Sequence, residues 1–217
     1  DPALKFVIEN CTFTENSGTI GGGGALSMVG EGNVSVVNST FVGNMASSGN
    51  GGQIKIEKSW VHVSQCRFEG SKDYVARDFK CNGARNGIAG TDTTALCGPE
   101  NRTFNGQFGG AIYVAYPGTT LVLHDVQIRG HISKFGGAVH IERKGNVVVR
   151  NSEFSRNEAN FGGAFEVAQE SALVAENSIF VENLATADGG TVHSEKSSVT
   201  FEGCRIAENV AGSRGGG

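Results

Sequence analysis

The sequence is poor in proline and contains neither a long apolar run nor a block of basic residues. Only 3 of its 217 residues are proline although 33 are glycine, whereas collagen needs much proline and glycine at every third position. A membrane-spanning helix needs about 18 or more consecutive apolar residues, and no such run occurs. The net charge of −4 and the lack of a Lys/Arg cluster argue against binding to nucleic acid or to an anionic membrane.

The remaining composition is that of a folded, secreted protein. Hydrophobic residues make up 38% and charged residues 18% of the chain, which distinguishes it from a charged disordered segment. Five cysteines and four N-glycosylation sequons indicate an oxidising, secretory setting, either extracellular or at a cell surface. The segment from Asp1 to Asn10 lacks the basic start and apolar run of a signal peptide, so we expect a mature product or a piece of a longer protein.

One short pattern recurs seven times along the chain. Each copy has an apolar residue two positions after its start, and most copies begin with Ser or Cys and have Asn three positions after the apolar residue. The copies begin at Cys11, Ser39, Cys66, Val126, Ser152, Ser178 and Cys204, at intervals of 28, 27, 60, 26, 26 and 26 residues. The long interval contains one repeat and an insertion of about 34 residues, which we place at 72–105.

A period of about 26 residues with alternating apolar positions predicts an all-β solenoid rather than a propeller or a helical repeat. We expect residues 1–217 to form a single domain of about seven coils, with three short strands per coil and one inserted loop. Gly-Gly doublets recur with the same period, which suits bends that need a positive φ.

Equivalent residues of successive coils are predicted to stack in columns. An inner column contains Phe13, Phe41, Phe68, Ile128, Phe154, Phe180 and Ile206, and each buried side chain contributes about 1.5–3 kcal/mol. A second column contains Asn16, Asn44, Asn157, Asn183 and Asn209, with Ser71 and His131 as substitutes. Cys11, Cys66 and Cys204 share a third, inward column with serines, which predicts buried free thiols.

Two short motifs, GGA and FxxN, recur along the chain. They are Gly23-Gly24-Ala25, Gly109-Gly110-Ala111-Ile112, Gly136-Gly137-Ala138 and Gly162-Gly163-Ala164, with Phe13–Asn16, Phe41–Asn44, Phe154–Asn157 and Phe180–Asn183. These motifs resemble the repeat of the Chlamydia polymorphic outer membrane proteins and of related secreted algal and protist surface proteins. The resemblance covers nearly the whole chain except the insertion, and it implies a right-handed parallel β-helix at a cell surface. In the bacterial members this helix is an adhesive passenger.

The best chemical constellation is His140, Glu166 and His193, which the period places on the outward face of adjacent strands. An imidazole beside a carboxylate can act as a general base, and such groups can also bind a metal ion. His140 and His193 lie about 9.6 Å apart over two rungs, too far to share one ion without side-chain reach. We therefore favour a solvated ladder of alternating charges here, and predict no metal or cofactor.

Other residues are candidates for covalent modification or for sugar binding. Cys81 and Cys97 are predicted to form a disulfide in the insertion, which would contribute about 3 kcal/mol. Trp60 and Tyr113 are outward aromatic residues on which a sugar could stack, although Trp60 could instead pack beneath the insertion. The sequons are at Asn10, Asn33, Asn38 and Asn101, and glycans on both Asn10 and Asn38 would crowd each other.

These features predict an extracellular structural or adhesive β-solenoid rather than an enzyme. Its partners would be cell-surface proteins or glycans, or a second copy stacked end to end, because an open end of a β-helix leaves strand edges unpaired. The alternative to end-to-end stacking is that the chain is a fragment of a longer rod. Two other functions stay open: a carbohydrate-active enzyme of lyase, epimerase or hydrolase type, and a glycan-binding module without catalysis.

Overall fold

The computed structural model describes residues 5–18, 22–46, 50–70 and 108–216 as stacked parallel strands. The insertion predicted at 72–105 lies outside these residues. Strands are numbered in chain order, and the coils contribute them to three long sheets. Sheet 1 contains β1 (Lys5–Glu9), β5 (Asn33–Val37), β9 (Trp60–Ser64), β12 (Thr120–His124), β15 (Asn146–Arg150), β19 (Ala172–Glu176) and β23 (Ser198–Glu202).

The other sheets follow the same order along the stack. Sheet 2 contains β2 (Thr12–Thr14), β6 (Thr40–Val42), β10 (Arg67–Glu69), β13 (Gln127–Arg129), β16 (Glu153–Ser155), β20 (Ile179–Val181) and β24 (Arg205–Ala207). Sheet 3 contains β4 (Leu26–Val29), β8 (Ile54–Glu57), β11 (Ile112–Ala115), β14 (Val139–Glu142), β18 (Phe165–Ala168) and β22 (Val192–Glu195). The predicted all-β solenoid with three strands per coil is confirmed.

Several coils also contain a fourth, two-residue strand that the sequence pattern did not predict. These strands follow the asparagine column and pair only with their equivalents in neighbouring coils. They are β3 (Ser17–Gly18) with β7 (Met45–Ala46), and β17 (Glu158–Ala159) with β21 (Leu184–Ala185) and β25 (Val210–Ala211). The chain thus turns from sheet 2 to sheet 3 in two steps.

The phenylalanine column forms the centre of the core, as predicted, except that its last member, Ile206, is exposed. The Phe13 and Phe41 rings stack with centroids 4.7 Å apart, and so do those of Phe41 and Phe68. Further along, Phe154 and Phe180 stack at 5.2 Å, and Ile128 links the two groups through the strand register. The ring spacing matches the strand spacing of about 4.8 Å, so each coil fixes the position of the next.

The asparagine column is a hydrogen-bonded ladder. Asn183 Nδ2 donates to the Phe154 carbonyl and to Asn209 Oδ1, both at 2.9 Å. Its own Oδ1 accepts from the backbone and side-chain amides of Asn157 at 3.0 Å. His131 continues the column through its backbone N–H, which donates to Asn157 Oδ1 at 3.1 Å. Burial lowers the pKa of the His131 ring to about 4, so this substitute is neutral at pH 7.

The serine and cysteine column forms a second ladder. Ser178 Oγ accepts from the Ser152 backbone N–H at 3.1 Å and donates to the Glu176 carbonyl at 2.8 Å. Sulfur replaces this oxygen at Cys66, whose Sγ accepts from the Ser39 N–H at 3.4 Å. Burial raises the pKa of the Cys66 thiol. Cys11, Cys66 and Cys204 are free thiols, as predicted, but only Cys66 is buried and the other two are partly exposed.

The Gly-Gly doublets are needed for two different reasons. The first glycine of five doublets adopts a positive φ, a conformation that side chains make costly. These glycines are Gly51, Gly109, Gly136, Gly162 and Gly189, with φ of 63° at Gly136. The second approaches the backbone of the next coil, so that a Cβ on Gly137 would lie 2.0 Å from the Gly163 carbonyl oxygen. Any side chain there would force two coils apart.

The substitution Gly137→Ala should therefore lower the free energy of unfolding by about 3 kcal/mol or more, because the rigid backbone of the next coil cannot move aside. Gly130→Ala is the matched control, since its added Cβ meets no atom of the described residues within 4 Å although φ is 69°; it should cost about 1 kcal/mol. Urea denaturation of the two variants measures the difference. If the two variants lost equal amounts of unfolding free energy, close contact between coils would not be the reason for glycine at the second position of the doublet.

Candidate functional site

The outward side chains at the middle of sheet 3 form a single line, which we call the polar column. Cα register pairs join each member to the next along the stack. The sequence period therefore predicted correctly which residues share this face. The column consists of Ser27, Lys55, Tyr113, His140, Glu166 and His193.

The middle of the polar column is buried, so the prediction of a solvated charge ladder is wrong here. The exposed fraction is only 1% for Tyr113, 3% for His140 and 5% for Glu166. Glu142, which lies two residues beyond His140 on the same face, is 6% exposed. Burial makes every charge on this face costly unless a partner compensates it.

Three phenylalanines pack beside this face and explain much of its burial. Phe108, Phe135 and Phe161 stack on one another with centroids 5.3 and 5.6 Å apart, and we call them the outer phenylalanine stack. The Phe108 ring lies 4.8 Å from the His140 ring, and the Phe161 ring lies 5.2 Å from that of His193. Each of these phenylalanines directly precedes a Gly-Gly doublet, a recurring signal that the sequence analysis missed.

Tyr113, Glu142 and Arg143 form a compact hydrogen-bonded group at one end of the buried segment. The Tyr113 hydroxyl donates to Glu142 Oε1 at 2.5 Å, and Arg143 Nε lies 3.2 Å from the same oxygen. Burial and the bond to Glu142 raise the pKa of Tyr113. Burial opposes ionisation of Glu142, but the polar contacts with His140 and Tyr113 outweigh it and lower the pKa of this carboxyl group. Glu142 is therefore ionised, and its charge is compensated locally.

His140 is packed more like an aromatic core residue than like a base. Its ring is parallel to that of Tyr113 at 5.8 Å, and Nε2 lies 3.5 Å from Glu142 Oε2. Within the described residues neither ring nitrogen has a hydrogen-bond partner. Burial lowers the pKa of His140, which makes the imidazole neutral at pH 7.

Glu166 and His193 form the one close acid–base pair of the polar column. His193 Nδ1 and Glu166 Oε2 are 2.8 Å apart, and 27% of the His193 side chain is exposed. Burial raises the pKa of Glu166 to about 7, although His193 opposes this shift. Such a pair can share a proton near neutral pH, which is the property that general acid–base catalysis needs.

The three candidate residues thus fall into two separate groups. Glu166 contacts His193, whereas His140 packs against Tyr113 and Glu142. Across the described ranges, no group of three or more His, Cys, Asp or Glu side chains is arranged to hold a metal ion. The geometry offers a proton-sharing pair rather than a chelating triad.

The two aromatic candidates for sugar binding differ in exposure. Tyr113 is buried, so it offers no ring face to a sugar. The rings of the outer phenylalanine stack face one another, which leaves mainly their edges outward. Trp60, by contrast, is 45% exposed. It lines a shallow open groove of about 500 Å³ on sheet 1, together with Lys5, Asn33, Val34 and Ser35.

The modification sites can be located only in part. Asn10, Asn33 and Asn38 are exposed, whereas Asn101 and the predicted Cys81–Cys97 disulfide lie outside the described residues. Asn38 Nδ2 donates to Asn10 Oδ1 at 2.6 Å. Both residues have a positive φ, at the bend between sheets 1 and 2.

Comparison with known proteins identifies the family. Residues 57–216 match the family model described as a right handed beta helix region. The chain belongs to this family. Neither the curated proteins nor the solved structures include a match, and the narrower resemblance to the Chlamydia repeats is not confirmed. The described part of this right-handed β-helix has no helix long and apolar enough to span a membrane.

The raised pKa of Glu166 predicts a pH dependence of stability. Because folding favours its protonated form, its contribution is fully present below the ordinary value of 4.5 and is lost as the pH rises through about 7. Over this range the free energy of unfolding of the unmodified protein should fall by up to about 3 kcal/mol relative to that of Glu166→Gln. Urea denaturation at a series of pH values measures the difference. Exposed Glu208 provides the control variant Glu208→Gln; a Glu166→Gln curve parallel to that of the unmodified protein would contradict the prediction.

Proposed function

We propose that this β-helix is an extracellular structural or adhesive element, a stiff rod whose outer faces contact cell-surface proteins or glycans. The observation that carries the proposal is the use of polar side chains between coils. Tyr113 bonds to Glu142 and Glu166 to His193, beside a covering of phenylalanine rings. Groups that an enzyme would present to a substrate here bind one coil to the next.

The outer surface supports the same proposal. Pairs of opposite charge connect neighbouring coils, as between Arg150 and Glu176 at 2.9 Å and between Lys144 and Glu170 at 3.2 Å. Each exposed pair contributes little to stability, because solvent screens its charges. Repetition along the stack nevertheless keeps both signs interspersed on the surface, which favours solubility and specific contacts over broad electrostatic attraction.

A second copy of the chain stacked end to end is one proposed partner, since pairing between strand edges is how each coil already binds the next. Light scattering over a range of concentrations, followed by electron microscopy, tests this partner. Filaments of uniform width are the expected result. A monomer at every concentration would remove self-assembly from the proposal and leave contacts through the outer faces.

The competing function is carbohydrate-active catalysis by the Glu166–His193 pair, which the 2.8 Å contact and the near-neutral pKa of Glu166 favour. Because Glu166 is only 5% exposed, we expect no turnover when uronate polysaccharides are screened for new double-bond absorbance or reducing ends. Activity that is lost in both Glu166→Gln and His193→Ala, and retained in the exposed control Glu208→Gln, would reverse this conclusion.

A further inference from the structure

The groove beside Trp60 has the chemistry of a sugar site and contains a glycosylation sequon of the chain itself. Asn33 and Trp60 are Cα register partners on the adjacent parallel strands β5 and β9. Their side chains therefore leave the same face about 4.8 Å apart. Both line the groove of about 500 Å³. The third residue of the sequon, Ser35, lies on this face too and lines the same groove.

We propose that an N-linked glycan on Asn33 lies in this groove, with its first sugar packed on the indole ring of Trp60. This inference rests on the proposed extracellular function, because N-linked glycans are added in the secretory pathway. The carbon-bound hydrogens of a pyranose ring carry a slight positive charge, and the face of an aromatic ring is negative. The indole offers such a face, since 45% of Trp60 is exposed and the neighbouring His62 ring is tilted and 6.1 Å away.

The other sequons in the described residues lack this arrangement. Asn10 and Asn38 lie at bends and bond to each other through their side-chain amides. The Asn33 side chain is exposed and makes no hydrogen bond to any residue that the structure describes. A glycan on Asn33 would therefore displace no hydrogen bond among the described residues, and it would cover part of an indole that is 45% exposed.

The groove also contains polar groups suited to a sugar. The Lys5 ammonium group can donate hydrogen bonds, and the Ser35 hydroxyl can donate and accept them. N-acetylglucosamine, the sugar attached to asparagine, presents hydroxyl and acetamido oxygens to such donors. The apolar indole and the polar rim thus match the two sides of one pyranose.

Trp60 is the only tryptophan in the chain, so its fluorescence reports this groove alone. The whole chain is produced in secreting eukaryotic cells, and mass spectrometry of its peptides measures the occupancy of Asn33. Acrylamide quenching then compares this protein with Ser35→Ala, which removes the sequon but keeps Asn33 and Trp60. Covering one face of the indole should lower the quenching constant about twofold in the glycosylated protein. Trimming the glycan to its first sugar should preserve the protection.

Asn38→Gln is the matched control, because it removes a sequon outside the groove and should leave the quenching of Trp60 unchanged. The proposal is overturned if Asn33 stays unmodified while Asn10 or Asn38 carries glycan, or if occupied Asn33 gives the same quenching as Ser35→Ala. It is also overturned if Asn33 is unmodified and free chitobiose shifts the Trp60 emission, since the groove would then serve an external glycan. Assembly measured on bacterially produced, unglycosylated chain tests the proposed rod separately.

Discussion

The close approach of each coil to the next is the constraint on which the other features of this β-helix depend. At the Gly-Gly bend no side chain fits between coils, because a Cβ on Gly110 or Gly163 would lie 2.1 Å from a backbone oxygen of the neighbouring coil. Once that contact fixes the spacing at one edge, rings and amides of identical type stack at the same spacing elsewhere, as Phe13 does on Phe41 at 4.7 Å. The columns are therefore a consequence of the backbone repeat rather than a separate source of order.

The same spacing decides how the fold tolerates polar groups. A buried amide normally needs several different partners, but in a stack the equivalent residue of the next coil supplies them, as Asn183 and Asn209 show at 2.9 Å. Substitutions in a column succeed when they keep part of this bonding. Cys66 keeps the acceptor through sulfur at 3.4 Å, and His131 keeps the backbone donor at 3.1 Å. The substitution nevertheless leaves His131 as a neutral, buried imidazole whose Nε2 lacks a hydrogen-bond partner among the described residues.

The repeat in the sequence was sufficient to predict the strands, the columns and the residues that share each face, because a period of about 26 residues maps directly onto one turn. It did not predict the burial of His140 or Glu166. Alternation along a strand separates inner from outer side chains, but it does not reveal what packs on the outer side. Here the ring of Phe135 packs on the outer side of His140, and Phe135 comes from the bend just before this strand in the same coil. The sequence shows that Phe135 precedes Gly136, but it does not show which way the Phe135 side chain points.

Burial also distinguishes the Glu166–His193 pair from an acid–base pair that is open to a substrate. A raised carboxyl pKa is common to catalytic acids and to carboxyls that are merely enclosed. What distinguishes them is access for a reacting atom, and Glu166 is 5% exposed while Phe161 lies against the ring of its partner at 5.2 Å. On the proposed structural function, the bond between Glu166 and His193 serves contact between coils. The groove near Trp60 has the opposite character, because Trp60 is exposed and no acid–base pair is among the residues that line the groove.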